Sequence, residues 1–235
     1  MNTNLRLAEK EDYDEIYAVV KESFKTAYHS DGKEQDFVVK LRNTKDYISD
    51  LEFVIELENN NSNSNTCSSS ISNNSGNNIN NSNNSNNNSN NNGNNNINNS
   101  NNNDIGNNSF NMEYIDNKDI IAHIMYTKTY VMDDKGNKIH EAIHLAPVSV
   151  LKEYRNKHIG SNLIKKTLAI VKNKGFDVVF LAGDNKFYKQ FGFKPIRFFG
   201  IKYAGKFPED LLDNLMALEL VPHSLNNISG FIFLD

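Results

Sequence analysis

Arg155, Lys157, His158, Gly160 and Ser161 fall within one short stretch, YRNKHIGSNLI, and no acid interrupts them. An apolar, strand-like run, LAPVSVL, ends just before it, and an amphipathic run, IGSNLIKKTLAIVKN, follows. The chemistry available at such a junction is anion binding. A helix N-terminus presents unpaired N–H groups and a partial positive charge. Gly160 lets a ligand approach the backbone closely, and Arg155, Lys157 and His158 add charge. Together they suit a phosphate or pyrophosphate. The same residues also suit a plain solvated loop in which Gly160 serves only helix packing, and the junction alone leaves both open. Neither G-x-x-x-x-G-K-[ST] nor G-x-G-x-x-G is present, so the common nucleotide loops are excluded.

The elements that must position this junction are readable from periodicity. Asn4–Ala8 reads as a short strand. Lys10–Phe24 reads as a helix with Tyr13, Ile16, Val19, Val20 and Phe24 on one face, and Lys33–Leu41 as a second. DLEFVIELE alternates like a strand, and EYIDNKDIIAHIMYTKTYVM holds a turn signal and another strand. His140–Leu151 is a strand, Ile159–Asn173 a helix ending near Gly175, and Phe176–Ala182 a buried strand. Asn185–Gln190 is a short helix, and Ile196–Tyr203, Asn214–Leu220 and Ile228–Leu234 are further strands. The strands on either side of the Ile159–Asn173 helix are joined by a crossover and should be parallel. The expected fold class is α+β: a mixed, mostly antiparallel central sheet flanked by helices.

Residues 58–111 are almost entirely Asn and Ser. Such a segment has too little apolar surface to offset its ordering entropy, so disorder is expected. The strands on either side of it should pair as an antiparallel hairpin, with the low-complexity tract as an oversized loop. The chain is then a single domain, 1–235, carrying a 58–111 insertion.

Bulk properties exclude several classes. A net charge of -4 argues against a nucleic-acid partner. The lone Cys67 forms no internal disulfide. The opening residues hold no apolar signal core, and no run is apolar and long enough to span a bilayer. A cytoplasmic protein without a membrane partner, monomeric or homodimeric, is expected.

VSVLKEYRNKHIGSNLI resembles motif A of the GNAT superfamily of N-acetyltransferases, [QR]-x-x-G-x-[GA]. Arg155 stands at the first position, Gly160 at the last, and His158 at the place of the middle glycine. A positive φ there would strain a histidine. GDNKFYKQFGFKP (Gly183–Pro195) resembles the later segment of these enzymes in which a tyrosine precedes F-G-F. LRLAEKEDYDEIYAVVKESF is similar to their first strand and helix, and MALELVPHSLNNISGFIFL to the end of the YhbS-like branch. The resemblance covers the chain except the Asn tract.

The resemblance implies the GNAT-like acyl-CoA N-acyltransferase fold, acetyl-CoA as co-substrate and no metal. It implies that Val148, Ser149 and Val150 hold the pantetheine arm. Arg155, Asn156, Lys157, His158, Ile159, Gly160 and Ser161 would cradle the pyrophosphate, and Asn185 would line the same site. Lys152, Lys165 and Lys166 are candidates for the 3′-phosphate. Tyr188 matches the general acid that protonates the departing thiolate. A thiol near ~8.5 and a tyrosine near ~10 make that transfer close to balanced. The base is open between His144, Glu141 and water. Those two residues lie on opposite faces by alternation, and His123 lies on the preceding strand. The acceptor is a small-molecule amine or a protein amine, in a pocket around Phe24, Tyr28, Phe37, Phe199 and Tyr203. Two other readings stand beside this one: a CoA- or acyl-CoA-binding module without turnover, and an interaction protein acting through its Asn tract.

Overall fold

In the computed structural model, residues 1–27, 30–58 and 120–234 are described. The chain divides into two units, Met1–Asn59 with Ile115–Asp235, and Asn60–Tyr114. The second, and with it the expected disorder of the Asn tract, lies outside the described residues.

The first helix, α1 (Tyr13–Phe24), buries Ile16, Val19 and Val20 of the stripe its periodicity predicts, leaves Tyr13 and Phe24 half-buried, and buries Ser23 besides. A 3-10 turn (Lys10–Asp12) leads into it. Asp12 accepts from the Glu9 amide and from the Arg6 guanidinium, which also holds Glu56. That pairing ties β1 (Thr3–Leu7) and β2 (Tyr47–Leu57) to the helix entry. The second helix, α2 (Glu34–Arg42), buries Gln35, Val38 and Leu41.

The sheet runs β1-β2-β3-β4-β5-β8-β6. Its other members are β3 (Ile120–Met132), β4 (Lys138–Val150), β5 (Val178–Ala182), β6 (Lys194–Pro195) and β8 (Leu215–Glu219). β7 (Ile201–Tyr203) joins through β9 (Gly230–Ile232), which also meets β3. β2 and β3 pair antiparallel, Ile55 opposite Ala122, as the hairpin reading expects. β4 and β5 pair parallel across the crossover helix α3 (Ile159–Asn173). The expected strand 196–203 is corrected. Ile196–Phe199 is a 3-10 turn, and Gly200 at φ 71 reverses the chain before the three-residue β7.

Two packed layers follow from strand alternation. Leu51, Phe53 and Ile55 face α3, against Leu163 and Ile164. Val54, Met125 and Ala146 face α1 and α2, against Val19, Val20 and Val38. A third cluster gathers β5, β8 and the last strands around Phe180 and Ile232.

Among these apolar contacts sits one buried carboxylate. Glu52 is fully buried on the α1–α2 side. It accepts from Arg42, from Tyr47 Oη at 2.7 Å and from His123 Nε2 at 2.8 Å. The Arg42 guanidinium also lies 3.6 Å over the Tyr13 ring. Burial alone would raise the Glu52 carboxyl, but the hydrogen bonds from His123 and Arg42 outweigh it and hold it down at about 2. Burial pushes the His123 imidazole below its ordinary value. A carboxylate can only accept, so Nε2 carries the hydrogen and Nδ1 the lone pair. A depressed carboxyl stabilises the fold above its ordinary 4.5, and that contribution fades as pH falls from 4.5 toward about 2.

Arg42→Ala leaves Glu52 charged and short of its strongest partner. It should cost about 3–5 kcal/mol in urea unfolding at neutral pH. A loss below about 1 kcal/mol would show that Tyr47 and His123 suffice.

Candidate functional site

β4 and β5 share two rungs, Ile143 opposite Val179 and His144 opposite Phe180, and then part. A register shift on the β3 side lies between Leu145 and Val148, where Pro147 interrupts the strand. A proline lacks the ladder N–H and favours bulges and strand edges. A bulge bends and twists its strand, and here it carries Val148, Ser149 and Val150 past the end of β4's pairing with β5. The three remain paired to β3, opposite Ile124, His123 and Ala122, and their other edge faces a cleft.

The cleft has a volume of about 630 Å³. Its walls are the β4 edge, the end of α1 (Ser23, Phe24, Ala27), the junction loop and the helix α4 (Asn185–Tyr188) with Gln190 beyond it. Of the residues expected to bind the coenzyme, Val148, Ser149, Val150, Arg155, Asn156, His158, Ile159, Gly160 and Ser161 all line it. Lys157 is exposed and reaches back over the Tyr154 ring, 5.4 Å from its centroid. The backbone amide of Asn185 donates to Asn214 Oδ1 at 3.3 Å. Neither lines the cleft. Lys152, Lys165 and Lys166 are exposed outside it.

The junction leaves the first amides of α3 unpaired among the described residues. The first bond within α3 runs from the Asn162 amide to the His158 carbonyl, 2.9 Å. The amides of Ile159, Gly160 and Ser161 have no acceptor among the described residues. His158 caps the helix at φ 60, and Asn156 stands at φ 59. The histidine thus carries the left-handed backbone that a glycine would take without strain. Gly160 does not have a positive φ, and a Cβ there would lie close to Val150 Cγ2, at 3.3 Å. Arg155 works inward. It donates to the Val150 carbonyl at 3.1 Å and to the Ser23 carbonyl, clamping α1 to the end of β4.

Tyr188 closes the cleft from α4. Its ring packs edge-on against Phe187 and Phe193, and its hydroxyl has no hydrogen-bond partner among the described residues. Gly183 seats the ring, since a Cβ there would collide with Tyr188 Cε2. Asp184 caps α4 by accepting from the Lys186 amide. Burial, and then the Asp184 charge, push the phenol above the ordinary tyrosine range. Tyr188 therefore stays protonated at neutral pH, and the near-balance expected from an unperturbed phenol shifts against donation.

The two candidate bases are separated. Glu141 is half-exposed and accepts from Lys128 Nζ at 3.1 Å. His144 turns to the other face and is buried, 6% exposed. It lines a second cavity, of about 270 Å³, with Leu41, Thr44, Asp46, Thr127 and Thr129. No described residue hydrogen-bonds its ring, and burial lowers its pKa to about 4. The expected acceptor pocket is not assembled: Phe24 lines the first cleft, while Phe37, Phe199 and Tyr203 pack into the hydrophobic clusters of their own elements. Tyr28 lies outside the described residues. Among those residues no group of three or more His, Cys, Asp or Glu could hold a metal, and no helix is long and apolar enough to cross a membrane.

Sequence reading missed Ser23 and Ala27, which no motif marks, and singled out neither Phe187 nor Gln190 within the Gly183–Pro195 segment. It also missed three orphans. Ser23 Oγ, His123 Nδ1 and Ser149 Oγ are the buried side-chain polar atoms without a partner among the described residues. Two belong to residues walling the cleft, and His123 stands opposite Ser149 across the strands. A buried orphan calls for a ligand or a water.

Two results should follow. His144 is neutral in the fold and ordinary, near 6.5, when unfolded. Its contribution to stability is complete above 6.5 and is lost as pH falls toward about 4, by roughly 3 kcal/mol. His123 acts in the same direction. Urea midpoints across that window should flatten in His144→Gln, and an unchanged slope would remove His144 as the cause. Gly183→Ala forces the Tyr188 ring from its seat and should destabilise by about 1–3 kcal/mol, with altered tyrosine fluorescence as the local readout.

Residues 93–193 match the model of the acetyltransferase (GNAT) family. Among curated protein sequences none matches the chain. The fold is similar to a GNAT family N-acetyltransferase, YhbS, from Escherichia coli, solved in complex with CoA. That likeness has a TM-score of 0.64 at 15% identity, over 99% of this chain and 89% of that one. It is also similar to a GNAT family acetyltransferase from Brucella melitensis in complex with acetyl-CoA, TM-score 0.57 at 19% identity, over 98% and 94%. At such identities the structural likeness speaks for the fold. The family model thus matches through the junction and Tyr188, and the chain shares the fold of these GNAT acetyltransferases.

Proposed function

We propose that this protein is an N-acetyltransferase that moves the acetyl group of acetyl-CoA to a primary amine by direct attack in a ternary complex. The observation that carries this reading is the cleft. One unpaired strand edge, three free helix amides and an unpartnered tyrosine hydroxyl all line or abut one cavity. The fit is chemical. An amide-bearing arm can pair with the β4 edge as an added strand would, and a pyrophosphate suits the α3 N-terminus. The two solved structures that share the fold were crystallised with CoA and with acetyl-CoA. On this reading the chain is one N-acetyltransferase domain, and residues 58–111 are an insertion between β2 and β3.

Acetyl-CoA supplies the thioester, so that a C–N bond forms as the C–S bond breaks. The chain's residues manage the protons and the geometry. A backbone N–H on the parted β4 edge is placed to polarise a carbonyl, an oxyanion-type contribution. Tyr188 holds its proton at neutral pH and gives it to the leaving sulfur. His144 is the better of the two base candidates, because it is buried, neutral and unpartnered, whereas Glu141 is exposed and paired with Lys128. It takes the proton the amine loses, directly or through water. Arg155 positions the loop by holding α1 against β4, and Ile159, Gly160 and Ser161 present the amides.

Calorimetry with acetyl-CoA should show binding to the wild type. Gly160→Asp, which adds bulk against Val150 and a negative charge among the amides, should abolish it. Tyr188→Phe should keep acetyl-CoA affinity and lose about 10²–10⁴ in kcat. Binding without transfer to any amine would leave a CoA-binding module. A well-folded wild type that binds no acetyl-CoA would refute the reading.

A further inference from the structure

We infer that a single water molecule is bound between α1, β3 and β4, held by His123 Nδ1, Ser149 Oγ and Ser23 Oγ, and that it joins the Glu52 cluster to the wall of the cleft. It belongs to that wall, whatever ligand the cleft takes.

The three atoms lie on one face of the sheet. Ala122 and Ile124 pack on the α3 side. His123, between them, therefore points toward α1 and α2, where Glu52 accepts from its Nε2. Val148 and Val150 also pack on the α3 side, so Ser149 turns the opposite way, and the β3–β4 register sets it directly across from His123. Side chains paired like this have Cβ atoms about 4.5–5.5 Å apart. Ser23 reaches the same layer from α1, whose Ile16, Val19 and Val20 pack there. The Ser23 carbonyl and that of Val150, the residue after Ser149, share the Arg155 guanidinium. The end of α1 and this part of β4 thus stand one side chain apart.

The valences match one water. His123 is fully buried, Ser149 is 2% exposed and Ser23 5%. None of the three atoms makes a hydrogen bond among the described residues, to one another included. Buried polar groups set just beyond direct contact are what a water bridges. Glu52 fixes the tautomer of His123, so that Nδ1 offers only a lone pair. One hydrogen of the water goes to that lone pair, and its two lone pairs accept from the two serine hydroxyls. Three bonds are the usual complement of a buried water. An anion would face the Nδ1 lone pair, and a larger ligand has no entry to atoms this buried.

The bridge gives the Arg155 clamp an inner counterpart. Arg155 joins the end of α1 to the end of β4 through their carbonyls. The water joins the same two elements through their hydroxyls. It anchors them to an imidazole that is itself held by Glu52, which Arg42 and Tyr47 fix in turn.

The test combines a crystal structure of the full chain, at a resolution that orders internal water, with histidine nitrogen-15 spectra in solution. A water should stand about 2.6–3.2 Å from His123 Nδ1 and from both serine oxygens. His123 should be the neutral tautomer with its hydrogen on Nε2. Ser149→Ala and Ser23→Ala each remove one bond of the water and introduce no clash. Each should move the His123 Nδ1 resonance, although neither serine bonds the imidazole directly. Their effects on the folding equilibrium constant should be coupled, the double variant departing from the product of the two singles by about fivefold. A dry site, a direct Ser149–His123 bond in place of the water, an Nδ1 resonance that ignores Ser23→Ala, or equilibrium effects that simply multiply would each overturn the assignment.

Discussion

The separation of β4 from β5 after the His144–Phe180 rung governs the rest of the site. In a closed sheet every N–H and C=O of a central strand is used by its neighbours. Here β4 is central, yet Val148, Ser149 and Val150 keep partners only on the β3 side. The interruption at Ala146 and Pro147 makes this tolerable, because the bulged strand turns its free edge into a cleft and leaves no unpaired backbone sealed in the core. The end of α1 and the start of α3 wall the same opening. A single local irregularity thus creates a groove with strand chemistry along its length and helix-terminus chemistry at its mouth.

Holding such an opening requires the surrounding layers to be stiff. The Glu52 cluster draws α2, β2 and β3 together through one buried carboxylate, and Tyr13 of α1 stacks on the Arg42 that holds it. Arg155 does the corresponding work at the cleft, bonding the Ser23 carbonyl at the end of α1 to the Val150 carbonyl at the end of β4. Both are charge-assisted contacts in partly or wholly dry surroundings, where a misplaced partner costs more than it would in water. The unsatisfied Ser23, Ser149 and His123 atoms cluster beside these clamps. Ser23 and Ser149 wall the cleft, while His123 Nδ1 belongs to the Glu52 cluster itself.

The sequence carried much of this. Strand and helix periodicities placed most elements within a few residues, because alternation and the 3.6-residue repeat are consequences of which face is buried. The junction loop was legible because glycine, basic residues and a following amphipathic run converge within one short stretch, and Tyr188 because its neighbours G-D-N and F-G-F are distinctive. The strand over 196–203 was misread, since the apolar content of IRFFGIKY is strand-like and only Gly200's left-handed turn distinguishes a 3-10 turn from a strand.

What the sequence by itself determined is therefore what is local: the elements, the basic strand-to-helix junction, and the helix that carries Tyr188. The tertiary structure decided everything that depends on which face meets which. It sent His144 inward and Glu141 outward, bonded Arg155 to the ends of α1 and β4 at the cleft wall, left Lys157 and Asn185 out of the cleft lining, and scattered the aromatic residues expected to form one pocket. These are outcomes of packing between segments distant in the chain. A side chain's neighbours there are set by sheet order, a bulge and helix docking, none of which leaves a periodic trace in the residues themselves.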